Sequence, residues 1–331
     1  MGCLITVIIT AYNRKEFLLE ALNSVINQTL DRNKYEIILI KNFNDITIDS
    51  FCKSNSVVTI TMNGTIGEYL SKGISLSKGQ VICFLDDDDL YLPNKLEEVS
   101  KLYESTNFSL LHNNYSEIDE IGNPRKPYMR KLHFTSYDFD ILKFNSPFQI
   151  STLKRLLKAE SDFNISCISI SRPFSKSVEN TIRNISACQD GFLFYSSLSS
   201  GPVVATGIVL TKYRVHASMS NATESFERYS NNICGDVLRQ IQSLKLIRFS
   251  KNNDIALLFL ERAIVLKELK LAIFDCPGIS KFFIKRLRFI KTYIDAYSIF
   301  WVIAFMLKFI FGDLMKKVIY SLVRSASNSL G

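Results

Sequence analysis

The amino-acid sequence predicts an α/β fold built on an open, Rossmann-like sheet and followed by a helical C-terminal extension. Short, continuous, β-branched apolar runs recur through about the first ninety residues, and segments with helical spacing of apolar residues lie between them. After Asn221 the pattern changes to long helices with few breakers. The composition agrees, because 47% hydrophobic against 22% charged residues in a 331-residue chain excludes disorder and supplies a large core.

The elements of the sheet can be placed in order. Apolar runs predict strands at residues 4–10, 35–40, 57–62 and 80–85, and helical spacing predicts helices at residues 15–27 and 66–76. His112 to Tyr115 are interpreted as the end of a further strand. Parallel strands joined by right-handed crossovers form sheets that bind ligands beyond the carboxyl ends of their strands.

Polar side chains follow three of these strands at that edge. Residues 10–14 (TAYNR), 41–45 (KNFND) and 86–89 (DDDD) come directly after the first, second and fourth strand. Polar groups gathered at one edge of an apolar sheet predict a binding site there.

The four consecutive aspartates predict a site for a divalent cation. Like charges this close raise one another's pKa values, and Mg²⁺ or Mn²⁺ with carboxylate ligands and substrate phosphates removes the conflict. In an extended segment Asp86 and Asp88 would face the ion together, with Asp89 turned inward to hold the loop. The alternative is a solvated acidic turn that caps the helix beginning near Pro93.

The motifs VIITAYNR, YEIILIKNFND and GQVICFLDDDDLYLPNKLEEV together resemble those of family 2 inverting glycosyltransferases, which have the GT-A fold and use nucleotide-diphosphate sugars. Two later segments, residues 189–192 (QDGF) and 210–216 (LTKYRVH), are similar to the second acidic motif and the Tyr-Arg-x-His segment of that family. Their order and spacing agree over about residues 4–220.

The resemblance implies a role for each candidate residue. Asp190 is the general base, Asp88 the metal ligand, and His216 a second ligand to Mn²⁺ or Mg²⁺. The residues implied to bind the nucleotide sugar are Thr10, Tyr12, Asn13, Asn42, Asp86 and Arg214. The alternatives are a helix N-terminal carboxylate for Asp190, packing in the core for Tyr12 and His216, and a loop anchor for Arg214.

The chain departs from the family pattern at three positions. Lys41-Asn42 stands where an Asp-Asp pair is usual, so an amide would face the base of the nucleotide. Residues 69–71 (YLS) replace an Ala-Arg-Asn segment and remove an arginine, for which Lys72 is an imperfect substitute. Gln189 replaces the glutamate of the second acidic motif.

These motifs divide the chain into three parts. Residues 1–110 form the nucleotide-sugar-binding half of the GT-A domain, residues 111–222 the acceptor-binding half, and residues 223–331 a helical tail. Leu257 to Leu271 form an amphipathic helix that can pack on the catalytic domain. The seven cysteines are scattered without a CxxC pair, which favours a reducing cytosol with most thiols serving as small hydrophobes.

The tail carries most of the charge and predicts contact with a membrane. Residues 281–331 hold nine Lys and Arg against two aspartates, so they supply seven of the eight net positive charges. Residues 281–294 combine an apolar face with basic flanks, as in helices on anionic membranes. Residues 296–311 are short of the roughly twenty that span a bilayer, which favours an interfacial anchor. The alternative is a buried helix hairpin or a dimer contact.

The sequence therefore predicts a metal-dependent inverting glycosyltransferase on the cytoplasmic face of the cell membrane. Its partners would be a nucleotide-diphosphate sugar, a glycan or lipid-linked acceptor and the membrane surface. Nucleic acid is not expected, because the first 280 residues are nearly neutral, with a net charge of +1. One alternative is an inactive sugar-nucleotide binder or membrane scaffold. The other is a haloacid-dehalogenase-like phosphatase, although Leu90 stands where that motif has Thr or Val.

Overall fold

The computed structural model describes residues 4–125, 140–145, 150–216, 226–249, 253–276 and 296–328. The predicted open α/β sheet is confirmed. Its strands are β1 (Ile5–Ala11), β2 (Tyr35–Lys41), β3 (Val58–Thr61), β4 (Val81–Asp86), β5 (Leu90–Tyr91), β6 (Leu110–Ile118), β7 (Ile141–Phe144), β8 (Ile168–Ser171) and β9 (Val203–Arg214).

The strand order is β3-β2-β1-β4-β8-β6-β9-β5, with β7 also paired to β9. Strands β3, β2, β1 and β4 are parallel, whereas β8 is antiparallel to both β4 and β6. The chain winds outward from β1 to β3 and then returns to place β4 on the other side of β1. This reversal creates a topological switch point between β1 and β4, where open sheets of this kind bind ligands.

The helices of the first half connect these strands and shield the sheet. They are α1 (Leu18–Ile26), α2 (Ile46–Ser54), α3 (Ile66–Leu76), α4 (Lys95–Thr106), α5 (Ile150–Lys158), α6 (Arg172–Ile182) and α7 (Gln189–Ser197). Helix α3 has the predicted bounds, and a capping box between Thr65 and Glu68 fixes its start. The structure corrects α1, which begins three residues later than predicted, and adds α2, which the sequence analysis missed.

Two hydrophobic cores lie on opposite faces of the sheet. In β1, Ile5, Val7 and Ile9 belong to one core, whereas Ile8 belongs to the other, where it approaches Gly73 of α3. Both cores are fully buried along this strand, which explains its continuous apolar sequence. The sheet therefore gives the side chains at its carboxyl edge a rigid support.

Long helices complete the structure beyond β9. They are α8 (Phe226–Leu244), α9 (Asp254–Ile273), α10 (Ala296–Phe311) and α11 (Asp313–Asn328). Helix α9 was predicted to be amphipathic, but its apolar residues are buried on several sides because it packs against α8, α10 and α7. The predicted membrane helix at residues 281–294 lies outside the described residues.

The cysteines differ from the sequence-based expectation at one place. Cys234 of α8 and Cys276, just after α9, form a disulfide that joins the two helices. Cys52, Cys83 and Cys167 are buried thiols, as expected of small hydrophobes. A pairing across 41 intervening residues has no local sequence signature, so only the packing of α8 on α9 shows it.

Helix α10 has an inner and an outer side. Trp301 and Ala304 are buried in the main core, and Lys308 donates a hydrogen bond to the Ala272 carbonyl oxygen at 2.7 Å. The outer side of α10 and α11 exposes ten large apolar side chains: Ile299, Phe300, Ile303, Met306, Phe309, Ile310, Phe311, Leu314, Val318 and Leu322. Across the described ranges, helices with the length and apolar composition needed to cross a bilayer are absent.

Candidate active site

The polar side chains predicted at the edge of the sheet meet at its switch point. Thr10 at the end of β1 pairs in register with Asp86 at the end of β4, and the Thr10 hydroxyl donates to the Asp86 carboxylate at 3.3 Å. Beside them, Asn13 takes a left-handed backbone conformation, and its N–H donates to the Asn42 side-chain oxygen at 2.8 Å. The Asn42 amide donates back to the Asn13 side chain at 2.6 Å.

The Asn42 contact connects the ends of β1 and β2. The preceding residue, Lys41, is fully buried, lies 3.0 Å from the Asp49 carboxylate and donates to the Phe43 carbonyl oxygen. The two residues that replace the usual Asp-Asp pair therefore have different roles. Lys41 is a buried structural residue, and Asn42 supports the turn after β1.

Arg14 determines how the aspartates are arranged. Its guanidinium donates to both oxygens of Asp87, at 2.5 and 2.9 Å, and lies 2.6 Å from Asp88. The expected alternation of side chains is wrong here, because residues 87 and 88 form a turn after β4 and both face Arg14. Sequence analysis gave Arg14 no role, and only its place among the polar residues after β1 pointed to it.

His216 and Arg214 approach the aspartates from the end of β9. His216 is buried, and its Nε2 lies 2.9 Å from Asp88 Oδ2 and 3.2 Å from the Arg14 guanidinium. Arg214 is also fully buried; it donates to the carbonyl oxygens of Asp88 and Glu120 at 2.8 and 2.7 Å. With these partners Arg214 anchors the loop that carries Asp88, which fits the alternative role given for it in the sequence analysis rather than contact with the diphosphate.

The aspartates of the cluster differ in the direction of their pKa shifts. Burial, followed by the charges of Asp88 and the other aspartates, raises the pKa of Asp86 well above its ordinary value. Burial and the charge of Asp88 raise the pKa of Asp89 to about 7, and Asp89 accepts a hydrogen bond from the Arg214 N–H at 2.9 Å, inside the loop. The pKa of Asp88 is lowered despite its burial, because His216 and Arg14 stabilise its charge.

A cavity of about 1360 Å³ opens at this edge and extends to the C-terminal helices. Thr10, Tyr12 and Asp86 line it on the strand side, together with Asp190 at the start of α7. The lining does not include the other five candidates, which are Asn13, Asn42, Asp88, Arg214 and His216. The structure thus gathers four of the nine predicted site residues around one cavity and places the other five next to it, where they support its edge.

Asp190 is fixed by backbone hydrogen bonds in the cavity wall. Its Oδ1 accepts from the Gly191 N–H at 2.8 Å, and its Oδ2 accepts from the Asn164 N–H at 3.1 Å. Burial raises the pKa of this carboxyl group, the nearby charge of Asp162 raises it further, and that of Lys267 lowers it. A carboxylate held this way in a cavity can accept a proton.

Tyr12 is not a core residue, because its side chain is 61% exposed. Its ring lies 6.3 Å from that of Tyr69, centroid to centroid, at an angle of 56°. Tyr69 is buried and donates from its hydroxyl to the Met62 carbonyl oxygen, so it is fixed. An exposed aromatic face beside a fixed ring at the mouth of a cavity suits the stacking of a planar base.

Asp88 and His216 have the chemistry of a cation site. Their facing oxygen and nitrogen atoms are 2.9 Å apart, and the pKa of Asp88 is lowered, so its carboxylate is the charged member of the pair. Within the described ranges there is no group of three or more His, Cys, Asp or Glu arranged to hold a metal. The pair therefore fits an ion that completes its coordination with substrate phosphates, as Mg²⁺ commonly does.

Sequence comparison assigns the first half of the chain to a known group. The model of glycosyl transferase family 2 matches residues 6–172. An uncharacterized glycosyltransferase of Rickettsia bellii is 32% identical over 142 residues, which is 41% of this chain and 20% of the relative. The chain spans about a fifth of the length of this relative.

Structural comparison extends over nearly the whole chain. The structure of S. aureus TarS 1-349 in complex with UDP-GlcNAc has a TM-score of 0.54 at 14% identity and covers 93% of this chain and 92% of its own. The mannosyltransferase PcManGT from Pyrobaculum calidifontis, in complex with GDP-Man and Mn²⁺, also has a TM-score of 0.54, at 12% identity, and covers 98% and 86%. These similarities establish the GT-A-like fold.

Proposed function

The chain belongs to glycosyl transferase family 2, and from this premise we propose that it transfers a sugar, with inversion, from a nucleotide diphosphate to a hydroxyl acceptor. The observation that carries the proposal is that one cavity contains Tyr12 and Asp86 at the switch point together with the half-buried Asp190. Family membership speaks against the phosphatase alternative.

The donor occupies the strand side of the cavity. Tyr12 stacks on the base, and Thr10 and Asp86 lie where hydrogen bonds can reach the ribose. The Asn13–Asn42 pair supports the turn that carries Tyr12. Structural neighbours bound to UDP-GlcNAc and GDP-Man support a nucleotide sugar as the donor class.

Mn²⁺ or Mg²⁺ is the proposed cofactor, held by Asp88 and His216 together with the donor phosphates. When bound, the ion supplies charge neutralisation of the leaving nucleoside diphosphate. Arg14 contacts both groups and contributes a permanent positive charge next to the same phosphates. It thereby offers a cationic group where the family arginine of the Ala-Arg-Asn segment is absent.

Asp190 is the proposed base. It takes the proton from the acceptor hydroxyl as that oxygen bonds to the anomeric carbon, and the bond from this carbon to the diphosphate breaks on the opposite face. The nucleoside diphosphate leaves with the electron pair of that bond. The two backbone N–H groups that bind Asp190 keep its carboxylate oriented.

Thermal-shift measurements with UDP-, GDP- and dTDP-sugars, with Mn²⁺ or with EDTA, test donor binding. We expect at least one donor to stabilise the protein more with Mn²⁺ than with EDTA, because ligands of the native state raise the melting temperature. If no donor raises it, the proposal fails.

Asp190→Asn tests the chemistry. The amide oxygen can keep one of the two backbone hydrogen bonds. Because the amide cannot take a proton, we expect transfer to fall about 10²-fold or more with unchanged donor binding. Undiminished transfer would contradict the role of Asp190. Donor binding by the wild type without transfer to any acceptor would favour the inactive binder instead.

We further propose that the outer side of α10 and α11 associates with the cytoplasmic face of the cell membrane. Ten large apolar side chains are exposed on two adjacent helices, whereas exposed apolar residues on soluble surfaces are normally scattered singly. The net charge of +7 in residues 281–331 suits anionic lipids. The inner side of α10 is buried, as the hairpin alternative expects, so the proposal concerns the outer side alone.

Sedimentation of the full chain with phosphatidylglycerol or phosphatidylcholine vesicles tests this association. Phe309 and Ile310 are 78% and 73% exposed, and the double substitution Phe309→Ser with Ile310→Ser should reduce binding to the anionic vesicles roughly tenfold. Ile46→Ser, at an exposed apolar residue of α2, is the matched control. Unchanged sedimentation of the double variant would overturn the membrane proposal. It would also be overturned if the substitutions left vesicle binding unchanged and instead converted a dimeric protein into a monomer.

A further inference from the structure

Arg14 contacts the two groups that the proposed function assigns to the divalent cation. One terminal nitrogen of its guanidinium lies 2.6 Å from Asp88 Oδ2, and the other lies 3.2 Å from His216 Nε2. These are the same two atoms that face each other at 2.9 Å. An ion such as Mg²⁺ binds its ligands at about 2.1 Å. Arg14 is therefore already in contact with the atoms that the ion would coordinate.

His216 Nε2 cannot satisfy both of these neighbours at once. A ring nitrogen of histidine carries either a proton or a lone pair toward its partner. The Arg14 N–H needs the lone pair, whereas the ionised Asp88 carboxylate needs the proton. A divalent cation would use the lone pair of Nε2 and the charge of Asp88 together. The pair of atoms thus suits a cation better than it suits Arg14, and the two compete for Nε2.

Asp87 holds Arg14 in this position. The guanidinium donates to both oxygens of Asp87, at 2.5 and 2.9 Å, in the forked geometry that makes such pairs strong. The Asp87 side chain is 6% exposed and that of Arg14 is 25% exposed, so solvent screens the contacts little. One guanidinium balances only one of the two carboxylates that it touches, and a further positive charge is still attracted to the cluster.

Arg14 also belongs to the same turn as the residue that stacks on the base. It follows Tyr12 by two positions, and Asn13 between them has a φ of 54° and is bound by Asn42 at 2.8 and 2.6 Å. Asp87, the main partner of Arg14, lines the cavity beside Tyr12. A diphosphate in that part of the cavity would offer Arg14 a second set of paired oxygens.

We propose that Arg14 competes with the divalent cation for Asp88 and His216, and that it gives way fully only when a diphosphate accepts its guanidinium. The inference rests on the proposed function and adds how its donor site assembles. The cation and the nucleoside diphosphate then favour each other's binding, because each removes a cost that the other would bear alone.

Titration of the full chain with Mn²⁺, followed by the electron paramagnetic resonance signal of the free ion, tests the competition without turnover. Arg14→Met removes the guanidinium and keeps much of the aliphatic stem. Lys15→Met is the matched control, because it removes an equal charge at the next position, where the side chain is 66% exposed and pairs with Asp45. Arg14→Met combined with Asp88→Asn shows whether the ion binds at Asp88.

We expect Arg14→Met to lower the dissociation constant of Mn²⁺ alone about tenfold or more, because the ion no longer displaces a guanidinium. Lys15→Met should change it less than about twofold, and Asp88→Asn should abolish the gain. Unchanged affinity in Arg14→Met, or an equal gain in Lys15→Met, would overturn the proposal. If Arg14→Met does not fold, Arg14→Lys should show a smaller gain, since an ammonium group cannot span both atoms as the fork does.

A second series measures the coupling to the diphosphate. Mn²⁺ is titrated with UDP, GDP or dTDP present, and protein-free samples correct for binding of the ion by the nucleotide itself. The nucleotide should lower the dissociation constant of Mn²⁺ by a factor about tenfold larger in the wild type than in Arg14→Met, because only the wild type has a guanidinium to transfer. Equal factors would overturn the proposal and leave Arg14 as a permanent ion pair of the cluster.

The outcomes separate this inference from the proposed function. A gain of Mn²⁺ affinity in Arg14→Met, together with no binding of any nucleotide or nucleotide sugar, would support the competition and refute the proposed function. Nucleotide-sugar binding, together with a Mn²⁺ affinity that is indifferent to Arg14, would refute the inference about Arg14 alone.

Discussion

At the scale of single residues, the sequence located the candidate side chains at the edge of the sheet better than it located their contacts. Asp86, Asp190 and Tyr12 meet in one cavity because each follows a buried strand or begins a helix at the same edge. Arg14 was missed as a partner of Asp87 because it is separated from it by 73 positions. Such pairings depend on the parallel pairing of β1 with β4, which brings together residues that are far apart in the chain.

Substitution of Arg214 distinguishes a role in stability from a role in donor binding. Arg214→Met removes charge-assisted hydrogen bonds from a fully buried guanidinium to the carbonyl groups of Asp88 and Glu120 and to the Glu20 carboxylate, so the free energy of unfolding should fall by about 3 kcal/mol. Chemical denaturation measures this change. A variant with full stability and weaker donor binding would instead favour direct contact between Arg214 and the diphosphate.

Asp190 should set the acidic limb of the pH profile. The proposed transfer requires the ionised form of Asp190. Burial raises its pKa above the ordinary value of 3.8, so kcat/KM should decline from a higher pH than for an ordinary aspartate. Lys267→Met removes a charge that lowers this pKa and should move the limb to still higher pH. A limb that stays in place or moves to lower pH in the variant would contradict this assignment.

At the scale of elements, the first half of the fold was largely predictable. β1, β2, β4 and α3 have strong periodicity and lie within about two residues of their predicted bounds. Helix α2 was missed because Ile48 and Cys52 are its only buried residues, so its apolar side is narrow; its visible signal was Asp45, which caps its first N–H groups. Strands β7 and β8 are four residues each, too short for a clear pattern.

Packing between α3 and α6 depends on Gly67. A Cβ at this position would lie 2.2 Å from the Ile182 carbonyl oxygen and 2.5 Å from that of Ile185, so Gly67→Ala should cost about 1–3 kcal/mol of unfolding free energy. Gly235→Ala in α8 is the matched control, because the nearest atom would be 3.6 Å away. The control should gain about 0.5–1 kcal/mol from helix propensity. Equal effects of the two substitutions in thermal denaturation would contradict the tight contact.

At the scale of the whole molecule, the sequence separated a catalytic part from helices but did not predict how they share a cavity. Arg262, Lys267 and Lys270 occur at a spacing that places them within one arc of about 140° on a helix, a signal visible before the structure. The spacing alone does not show what these side chains face, whereas the structure shows that they line the cavity. Long-range packing of helices is a property of the complete core.

The disulfide between Cys234 and Cys276 should stabilise the packing of α8 against α9, two helices that line the cavity. Its removal by Cys234→Ser with Cys276→Ser should lower the free energy of unfolding by about 2–4 kcal/mol, since the bond closes a loop across 42 positions. Denaturation with and without dithiothreitol measures this. Reductant should bring the wild type to the level of the double variant, and an unaffected wild type would contradict the bond.

The two walls of the cavity come from separate stretches of the gene. The family match ends at residue 172, whereas the wall formed by α8 and α9 begins at residue 236. Substitutions in residues 236–270 can therefore change one wall of the cavity without changing any residue that the family model matches. On the proposed function, we expect relatives that share only the first half to resemble this chain more in the donor than in the acceptor.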